Sequence, residues 1–373
     1  MKGIVGWGSL VSLVAVAGAV PPASETRQDA QAVAERVAPF FRPPPEFAGK
    51  LGDYRSPLRF DDGSPVRSAA DWPKRRREIL HTWHSLMGPW PPLIEKPRLE
   101  YLEQERRGSF VQHHVRLEIA PGQTTDDAYL LLPDGRGPFP AVLVVFYDAA
   151  TGIGGGRPGH CNFASELAQR GFVTLSLGSP PASFYPSQEN AQLQPLSYHA
   201  YIAANCYNAL AALPQVDPRR IGVLGHSYGG KWALFASCLY EKFACGVWSD
   251  PGVVFDETRS NVNYWEPWYL GYEPGRERKP GLVTRDNPRT GAYRRLVEAG
   301  HDLHELHALM APRPFLVSGG SEDPPERWRA LNHAVAVNKL LGHEDRVAMT
   351  NRSGHDPTEE SNEQVYLFLE YVL

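Results

Sequence analysis

Residues 225–230, GHSYGG, decide the fold of this 373-residue chain, because they fit the pattern G-x-S-x-G between a strand and a helix. Residues 220–224, RIGVL, are largely apolar and β-branched, as in a buried strand. Residues 231–240 contain neither glycine nor proline, which predicts a buried helix. This order of elements lifts a serine hydroxyl above a sheet, so we expect Ser227 to be a nucleophile. The alternative is a glycine-rich turn whose serine only caps the helix.

The bulk composition points to an ordered globular protein. The length allows one large domain or two ordinary ones. The 34 prolines and 34 glycines come with many aromatic residues, which indicates well-formed loops rather than disorder. The formal net charge is −4 and the sequence has no basic stripe, so we expect no nucleic-acid partner.

Residues 1–19 have the features of a signal peptide. Lys2 supplies a positive charge, and an apolar or small run extends from Ile4 to Ala19. Residues 17–19, AGA, match the small-residue cleavage rule. The run is short for a membrane span. We therefore expect a secreted or periplasmic protein without stable membrane association after the signal is removed.

Cysteine and histidine spacing indicates neither a metal site nor a cofactor. The cysteines lack zinc-type C-x-x-C spacing, so we expect one or two disulfides or buried free thiols. His301, His304 and His307 recur every three residues, which does not place all three on one face of a helix. The four cysteines are Cys161, Cys206, Cys238 and Cys245.

Strand-like and helix-like segments alternate through most of the chain. Together with the GHSYGG turn, this alternation predicts the α/β-hydrolase fold, a mostly parallel central sheet with helices on both faces. Residues 98–373 are expected to form this catalytic domain, and residues 20–97 an N-terminal arm and a helix packed on it. The predicted strands are residues 99–105, 111–119, 128–132, 140–147, 172–177, 221–224, 244–248, 315–318 and 346–350, and the predicted helices are residues 71–88, 163–169, 197–213, 231–240, 326–341 and 359–373.

A serine nucleophile needs a base and an orienting acid, which in this fold follow it in the order acid, then histidine. His355 lies after the last predicted strand and is the expected base. Two acids follow strands, Asp323 after residues 315–318 and Asp250 after residues 244–248. We favour Asp323, because its loop is expected nearer to the histidine loop, and keep Asp250 as the alternative.

The oxyanion that forms during acyl transfer needs preorganised hydrogen-bond donors. The backbone N–H of Tyr228, directly after the nucleophile, is expected to be the first donor. The second is expected from the loop after residues 140–147, at Tyr147 or Asp148. His226, inside the turn, is expected to pack beside the sheet.

Residues 140–373 resemble exported hydrolases related to dienelactone hydrolases and carbohydrate esterases. Residues 302–314, DLHELHALMAPRP, are similar to a pattern in glucuronoyl esterases and in bacterial acetyl and methyl esterases of polysaccharides. The turn extends to G-x-S-x-x-G-K through Lys231, which in that family helps to bind a uronate hydroxyl. Some members of the family have their acid where Asp250 stands. The chain has Tyr228 and His226 where that family has arginine and usually cysteine.

The resemblance implies a serine esterase that removes acetyl, methyl or uronoyl esters from polysaccharide or oligosaccharide. Residues 251–300 interrupt the alternation and are expected to form an aromatic insertion near the active site. Within it, Trp265 and Trp268 are candidates for stacking on sugar rings, with a small core of the insertion as the alternative. The alternative functions are a dienelactone-hydrolase-like or peptidase-like enzyme for small molecules, and an inactive carbohydrate-binding protein.

Overall fold

The computed structural model describes residues 31–373, and the predicted signal peptide lies outside the described residues. Ten strands in this part of the chain form one sheet. They are β1 (Leu99–Arg107), β2 (Phe110–Ala120), β3 (Gln123–Thr125), β4 (Ala128–Pro133), β5 (Phe139–Val145), β6 (Val173–Leu177), β7 (Val216–His226), β8 (Cys245–Ser249), β9 (Phe315–Gly319) and β10 (Val347–Asn351).

The helices lie between and around these strands. They are α1 (Trp72–Met87), α2 (Ala149–Gly152), α3 (Phe163–Gln169), α4 (Pro195–Ala211), α5 (Tyr228–Leu239), α6 (Gly291–Glu298), α7 (His304–Leu309), α8 (Trp328–Leu340) and α9 (Glu359–Val372), with short 3-10 turns at Ala38–Phe41 and Pro325–Arg327. The sequence analysis did not predict α2, α6 and α7. Among the described residues, no helix has both the length and the apolar character needed to cross a membrane.

The sheet is mostly parallel, as the alternation of elements predicts. Its strand order is β1-β2-β4-β6-β5-β7-β8-β9-β10, and β3 pairs with β2. The strands β1, β2, β4 and β6 pair antiparallel, whereas the pairs from β6 through β5 to β10 are parallel. The carboxyl ends of β7, β8, β9 and β10 are therefore neighbours at one edge, where open sheets of this kind bind their ligands.

The alternation of side chains along β5 shows that helices cover both faces of the sheet. Leu143 and Val145 belong to the core shared with α4, α5 and α8. Val142 and Val144 belong to the core shared with α3 and α9. Side chains with a period of two point to opposite faces of a strand, so a continuous apolar run is buried from both sides.

The segments before β1 and after β8 pack onto this framework through aromatic side chains. Before β1, Trp83 of α1 is fully buried, and its ring centroid lies 6.2 Å from that of Phe235 in α5. In the insertion, Tyr264 stacks on the same Phe235 with centroids 6.1 Å apart. The insertion thus packs on α5, the helix that follows Ser227.

All four cysteines are free and buried in this structure, which is the second of the two expected arrangements. Cys206 and Cys238 lie within α4 and α5, and Cys245 begins β8. Burial raises the pKa of Cys161 to about 11, so this thiol stays protonated at neutral pH.

The turn around Ser227 is possible only because glycines flank it. Ser227 has φ +56° and ψ −113°, a backbone conformation that side chains rarely adopt. A Cβ atom on Gly225 would lie 2.1 Å from the carbonyl oxygen of Gly229, and one on Gly229 would lie 2.0 Å from that of Val145. Both glycines allow α5 to start directly against the end of β5.

We expect Gly229→Ala to lower the free energy of unfolding by about 3 kcal/mol or more, because the new methyl group meets backbone that cannot move aside alone. Chemical denaturation measures the change. Gly155→Ala is the matched control, since its Cβ would have no contact shorter than 3.6 Å. Equal stability of the two variants would contradict this account of the turn.

Candidate active site

Ser227, His355 and Asp250 form one hydrogen-bonded chain at the carboxyl ends of the parallel strands. His355 Nε2 lies 2.8 Å from Ser227 Oγ, and His355 Nδ1 lies 2.8 Å from Asp250 Oδ2. Ser227 follows β7, Asp250 follows β8, and His355 lies in the loop after β10. With its proton on Nδ1, the imidazole has Nε2 free to accept the serine proton.

The Asp250 carboxylate is held in its ionised form by donors from a neighbouring loop. Its Oδ1 accepts hydrogen bonds from the backbone N–H groups of Gly320 at 2.7 Å and Asp323 at 2.8 Å. Burial alone raises the pKa of Asp250, but the hydrogen bond to His355 and the Arg352 guanidinium outweigh it and keep this pKa below its usual range. Asp250 is therefore charged at neutral pH and can orient His355.

The preference for Asp323 as the partner of His355 is corrected by this geometry. Asp323 is fully buried, and its carboxylate accepts the N–H groups of Gly252 at 2.8 Å and Val253 at 2.6 Å. Asp250 directly follows the end of β8, whereas Asp323 lies four residues past the end of β9. The β9 loop folds back towards β8, so it presents backbone N–H groups to Asp250 and its own carboxylate to the turn after Asp250.

Burial and the nearby Asp250 raise the pKa of Asp323 to about 6. The two acids thus have different partners. The Asp250 carboxylate is hydrogen-bonded to His355, and the Asp323 carboxylate accepts hydrogen bonds from backbone N–H groups. Because each side chain accepts N–H groups from the other's loop, the two strand ends are joined by reciprocal hydrogen bonds. We infer that Asp323 positions Asp250 rather than His355.

Arg352 holds the histidine loop, a role that the sequence analysis missed. Its Nη1 donates to the carbonyl oxygen of Ser318 at 2.9 Å, and its Nε donates to that of Asp356 at 2.8 Å. A further guanidinium N–H donates to the carbonyl oxygen of His355. The available signal was an arginine three residues before the expected base, in a short loop with many carbonyl groups to satisfy.

His226 packs beside the sheet, where the sequence analysis expects it. Its Nδ1 lies 3.1 Å from Ser249 Oγ, and its ring lies against Phe146 with centroids 6.2 Å apart. Burial, followed by the neighbouring His355, lowers the pKa of His226 to about 3. This histidine is therefore neutral and does not compete with His355 for a proton at neutral pH.

The expected oxyanion donors lie at the start of α5 and in the loop after β5. Tyr228 is the first residue of α5, where backbone N–H groups have no acceptor within the helix. The N–H groups of Phe146 and Ala149 donate to protein oxygens, which leaves those of Tyr147 and Asp148 between them as candidates.

The Tyr147 side chain adds a contact that the sequence analysis did not predict. The nearby Ser227 side chain lowers the pKa of the Tyr147 hydroxyl, but burial has the larger effect. Burial raises the pKa of Tyr147, so this hydroxyl stays protonated and can donate. The Tyr147 and Tyr228 rings stack with centroids 4.7 Å apart, and the Arg157 guanidinium lies 4.4 Å from the Tyr147 centroid. The rings of Tyr147 and Tyr228, which we call the aromatic wall, therefore lie beside Ser227.

Lys231 does not present its ammonium group to this wall, which corrects its expected role in substrate binding. The side chain is buried, and Nζ donates to the carbonyl oxygens of Pro251 and Asn261, each at 2.8 Å. The ammonium also lies 5.1 Å from the ring centroid of Tyr264. Burial lowers the pKa of Lys231 to about 8. Lys231 therefore links α5 to the insertion through the carbonyl oxygens of two insertion residues.

The two tryptophans of the insertion have different environments. Trp265 is fully buried, and its Nε1 donates to the carbonyl oxygen of Gly281 at 2.8 Å, so it belongs to the core of the insertion and cannot stack on a substrate. Trp268 is 41% exposed and stays available. Its ring centroid lies 6.2 Å from that of Tyr269, which in turn lies 6.2 Å from Tyr228.

The histidines at three-residue spacing have structural partners. His301 Nδ1 lies 2.8 Å from Glu305 Oε2, and His304 Nε2 lies 2.5 Å from the carbonyl oxygen of Arg55. Between residues 31 and 373, no group of three or more histidine, cysteine, aspartate or glutamate side chains has a geometry that could hold a metal ion.

Comparison with known proteins agrees with this fold. The model of the prolyl oligopeptidase family, Peptidase S9, matches residues 203–364, which include Ser227, Asp250 and His355. A glucuronoyl esterase from Solibacter usitatus superposes with a TM-score of 0.66, at 20% identity, over 86% of this chain and 99% of that one. The predicted α/β-hydrolase fold is confirmed.

Proteins similar in sequence include esterases of the same kind as the structural neighbour. A 4-O-methyl-glucuronoyl methylesterase of Schizophyllum commune is 23% identical over 321 residues, which are 80% of this chain and 76% of that relative. The chain resembles the glucuronoyl esterases. A 4-O-methyl-glucuronoyl methylesterase of Phanerochaete chrysosporium is 25% identical over 321 residues, which are 80% of this chain and 64% of that relative. The resemblance to carbohydrate esterases seen in the sequence motifs is thus confirmed.

We expect Asp250→Asn to lower kcat by about 10⁴, because the imidazole loses the partner that fixes its tautomer. Asp323→Asn should cost only about 10- to 100-fold, because it weakens hydrogen bonds that hold the backbone around Asp250. Single-turnover kinetics with an aryl ester measures both losses. Circular dichroism checks that both variants fold. A larger loss for Asp323→Asn than for Asp250→Asn would contradict the assignment.

Lys231→Met should lower the free energy of unfolding, because each buried carbonyl left without a donor costs about 1–3 kcal/mol. Removing a buried charge offsets part of this loss of stability. Urea denaturation measures the change. Lys242→Met, at an exposed position just beyond α5, is the matched control and should be neutral. Unchanged stability with a raised KM for a uronate ester would instead assign Lys231 to the substrate.

Proposed function

We propose that this chain is a serine esterase that cleaves carboxylic esters on carbohydrate through Ser227, His355 and Asp250. The observation that carries the proposal is the hydrogen-bonded chain of these three side chains, with both links at 2.8 Å. The enzyme class that the sequence predicts is confirmed by the comparisons, since the matched relatives are esterases. The catalytic role of each residue is our proposal.

Acyl transfer follows from this geometry. Ser227 Oγ attacks the ester carbonyl while His355 Nε2 takes its proton, and the buried Asp250 carboxylate stabilises the imidazolium. The oxyanion is held by the N–H of Tyr228 and by Tyr147, through its N–H or its hydroxyl, with the N–H of Asp148 as the alternative. His355 then protonates the leaving alcohol. The same imidazole activates a water molecule that releases the acid and restores Ser227.

We propose uronoyl esters on polysaccharide or oligosaccharide as the first substrate class, because two matched relatives are named 4-O-methyl-glucuronoyl methylesterases. Recognition of the sugar must differ from the pattern in that family. Tyr228 stands in place of an arginine, and the Lys231 ammonium is bonded to backbone. An exposed cation beside the aromatic wall is Arg157, whose guanidinium is stacked over Tyr147. Arg157 is therefore the residue that we assign to a carboxylate or ester oxygen of the uronate.

Export is part of the same proposal. Residues 1–19 have the composition of a cleavable signal, and an enzyme for insoluble polysaccharide has to meet its substrate outside the cytoplasm. The free buried thiols are compatible with either compartment, since none is placed to form a disulfide.

The test is a panel of substrates with one ester type each. We expect release of alcohol from a methyl or benzyl ester of glucuronic acid, with Ser227→Ala as the inactive control. Acetate release from acetylated xylan without any uronate ester cleavage would make the enzyme a deacetylase. Cleavage of a prolyl peptide anilide in preference to all esters would favour the peptidase-like alternative, which the Peptidase S9 match supports. No turnover by folded enzyme would leave only a carbohydrate-binding role.

A further inference from the structure

A groove lies beside the aromatic wall, between the insertion and the loop that follows β6. Its volume is about 730 Å³, within the range of ligand pockets. Trp268 and Tyr272 contribute from the insertion, and Phe184 and Gln188 contribute from the β6 loop. We call this feature the Trp268 groove.

A row of rings connects the Trp268 groove to the nucleophile. Successive centroids lie 6.2 Å apart from Trp268 to Tyr269, 6.2 Å from Tyr269 to Tyr228, and 4.7 Å from Tyr228 to Tyr147. Tyr228 directly follows Ser227 in the chain. These ring contacts therefore separate the Trp268 groove from Ser227, and none of Ser227, Asp250 and His355 lines the groove.

The walls of the groove are fixed to each other, so the groove exists before anything binds. The Tyr272 hydroxyl donates to the carbonyl oxygen of Gln188 at 2.6 Å, and the Phe184 and Tyr272 centroids are 4.5 Å apart. Gln194, at the end of the β6 loop, bonds both to the N–H and to the carbonyl oxygen of Tyr272. A site that needs no ordering on binding loses less affinity to conformational entropy.

The lining combines flat apolar faces with polar groups around them. Aromatic rings cover the C–H faces of a sugar ring, while side-chain amides, hydroxyls and carboxylates bond to its hydroxyl groups. Trp268 offers such a face, and Ser183, Gln188 and Glu277 lie around it.

The charges of the groove exclude a polyanionic ligand as the best fit. Two carboxylates, Glu273 and Glu277, and two guanidinium groups, Arg276 and Arg278, line it. Arg276 lies 3.7 Å from Glu273, and Arg278 is paired at 2.8 Å with the buried Glu266. No cation in the lining is therefore left in excess to attract a row of uronates or sulfates.

We propose that the Trp268 groove is a second sugar subsite that binds neutral sugar units of the polysaccharide main chain. It rests on the proposed function only in placing the ester-bearing sugar at Ser227. The enzyme thus recognises an ester within a longer glycan, by holding main-chain sugars at the groove while the substituted branch reaches the nucleophile.

Binding is tested with Ser227→Ala and unesterified neutral oligosaccharides, namely xylohexaose, cellohexaose and mannohexaose, by isothermal titration calorimetry. We expect at least one of them to bind with an affinity that does not change between low and high salt. Adding Trp268→Ala should weaken binding about tenfold, the scale of one aromatic contact. Tyr101→Ala, which removes a 51% exposed aromatic ring on the distant strand β1, should leave it unchanged.

Kinetics separates the subsite from the catalytic assignment. The ratio of kcat/KM for a polymeric ester to that for a monosaccharide ester should fall about tenfold in Trp268→Ala and stay constant in Tyr101→Ala. Esterase activity with an unchanged ratio would overturn the subsite and leave the proposed function intact. Preference for oligogalacturonate with strong salt dependence would also overturn it. Oligosaccharide binding without esterase activity would uphold the subsite and defeat the proposed function.

Discussion

The reciprocal hydrogen bonds between the loops after β8 and β9 are the constraint on which the site depends. Asp250 accepts N–H groups from the β9 loop, and Asp323 accepts N–H groups from the turn that follows Asp250. Neither loop can move without breaking a buried, charge-assisted hydrogen bond in the other, and such bonds are costly to leave unmade. The Asp250 carboxylate orients the imidazole of His355 towards Ser227, and this carboxylate is itself held by backbone N–H groups of the β9 loop.

The sequence predicts the parts of the site that depend on local chemistry. Ser227 could be predicted as a site residue because the flanking glycines and the strand and helix around it form one short pattern, and His355 because it follows the last strand; their side chains meet in the structure. The choice between Asp250 and Asp323 could not be made in the same way. Both follow buried strands, and only the path of the residues after Gly319, set by contacts with a loop about 70 residues away, decides which carboxylate meets the histidine.

In the overall fold and in the insertion, too, the sequence does not reveal features that depend on contacts between distant residues. The parallel sheet is visible in the sequence because its strands are continuous apolar runs between helices, whereas α6 and α7 are short and lie in or beside an irregular segment. Trp265 and Trp268 are three residues apart and look alike in sequence. Their roles differ because Trp265 meets Tyr293 and the carbonyl of Gly281 inside the insertion, and Trp268 meets the edge of Tyr269 at the surface.

Lys231 has a consequence for how related sequences are compared. Its position matches a signature that implies contact with a sugar. In this structure, however, its ammonium group donates hydrogen bonds to two backbone carbonyl oxygens of the insertion. A lysine that fits this signature can therefore bond to backbone carbonyl oxygens rather than to a sugar hydroxyl. In this chain the lysine fastens the insertion, and we expect the contacts that select the substrate around Tyr147 and Arg157 instead.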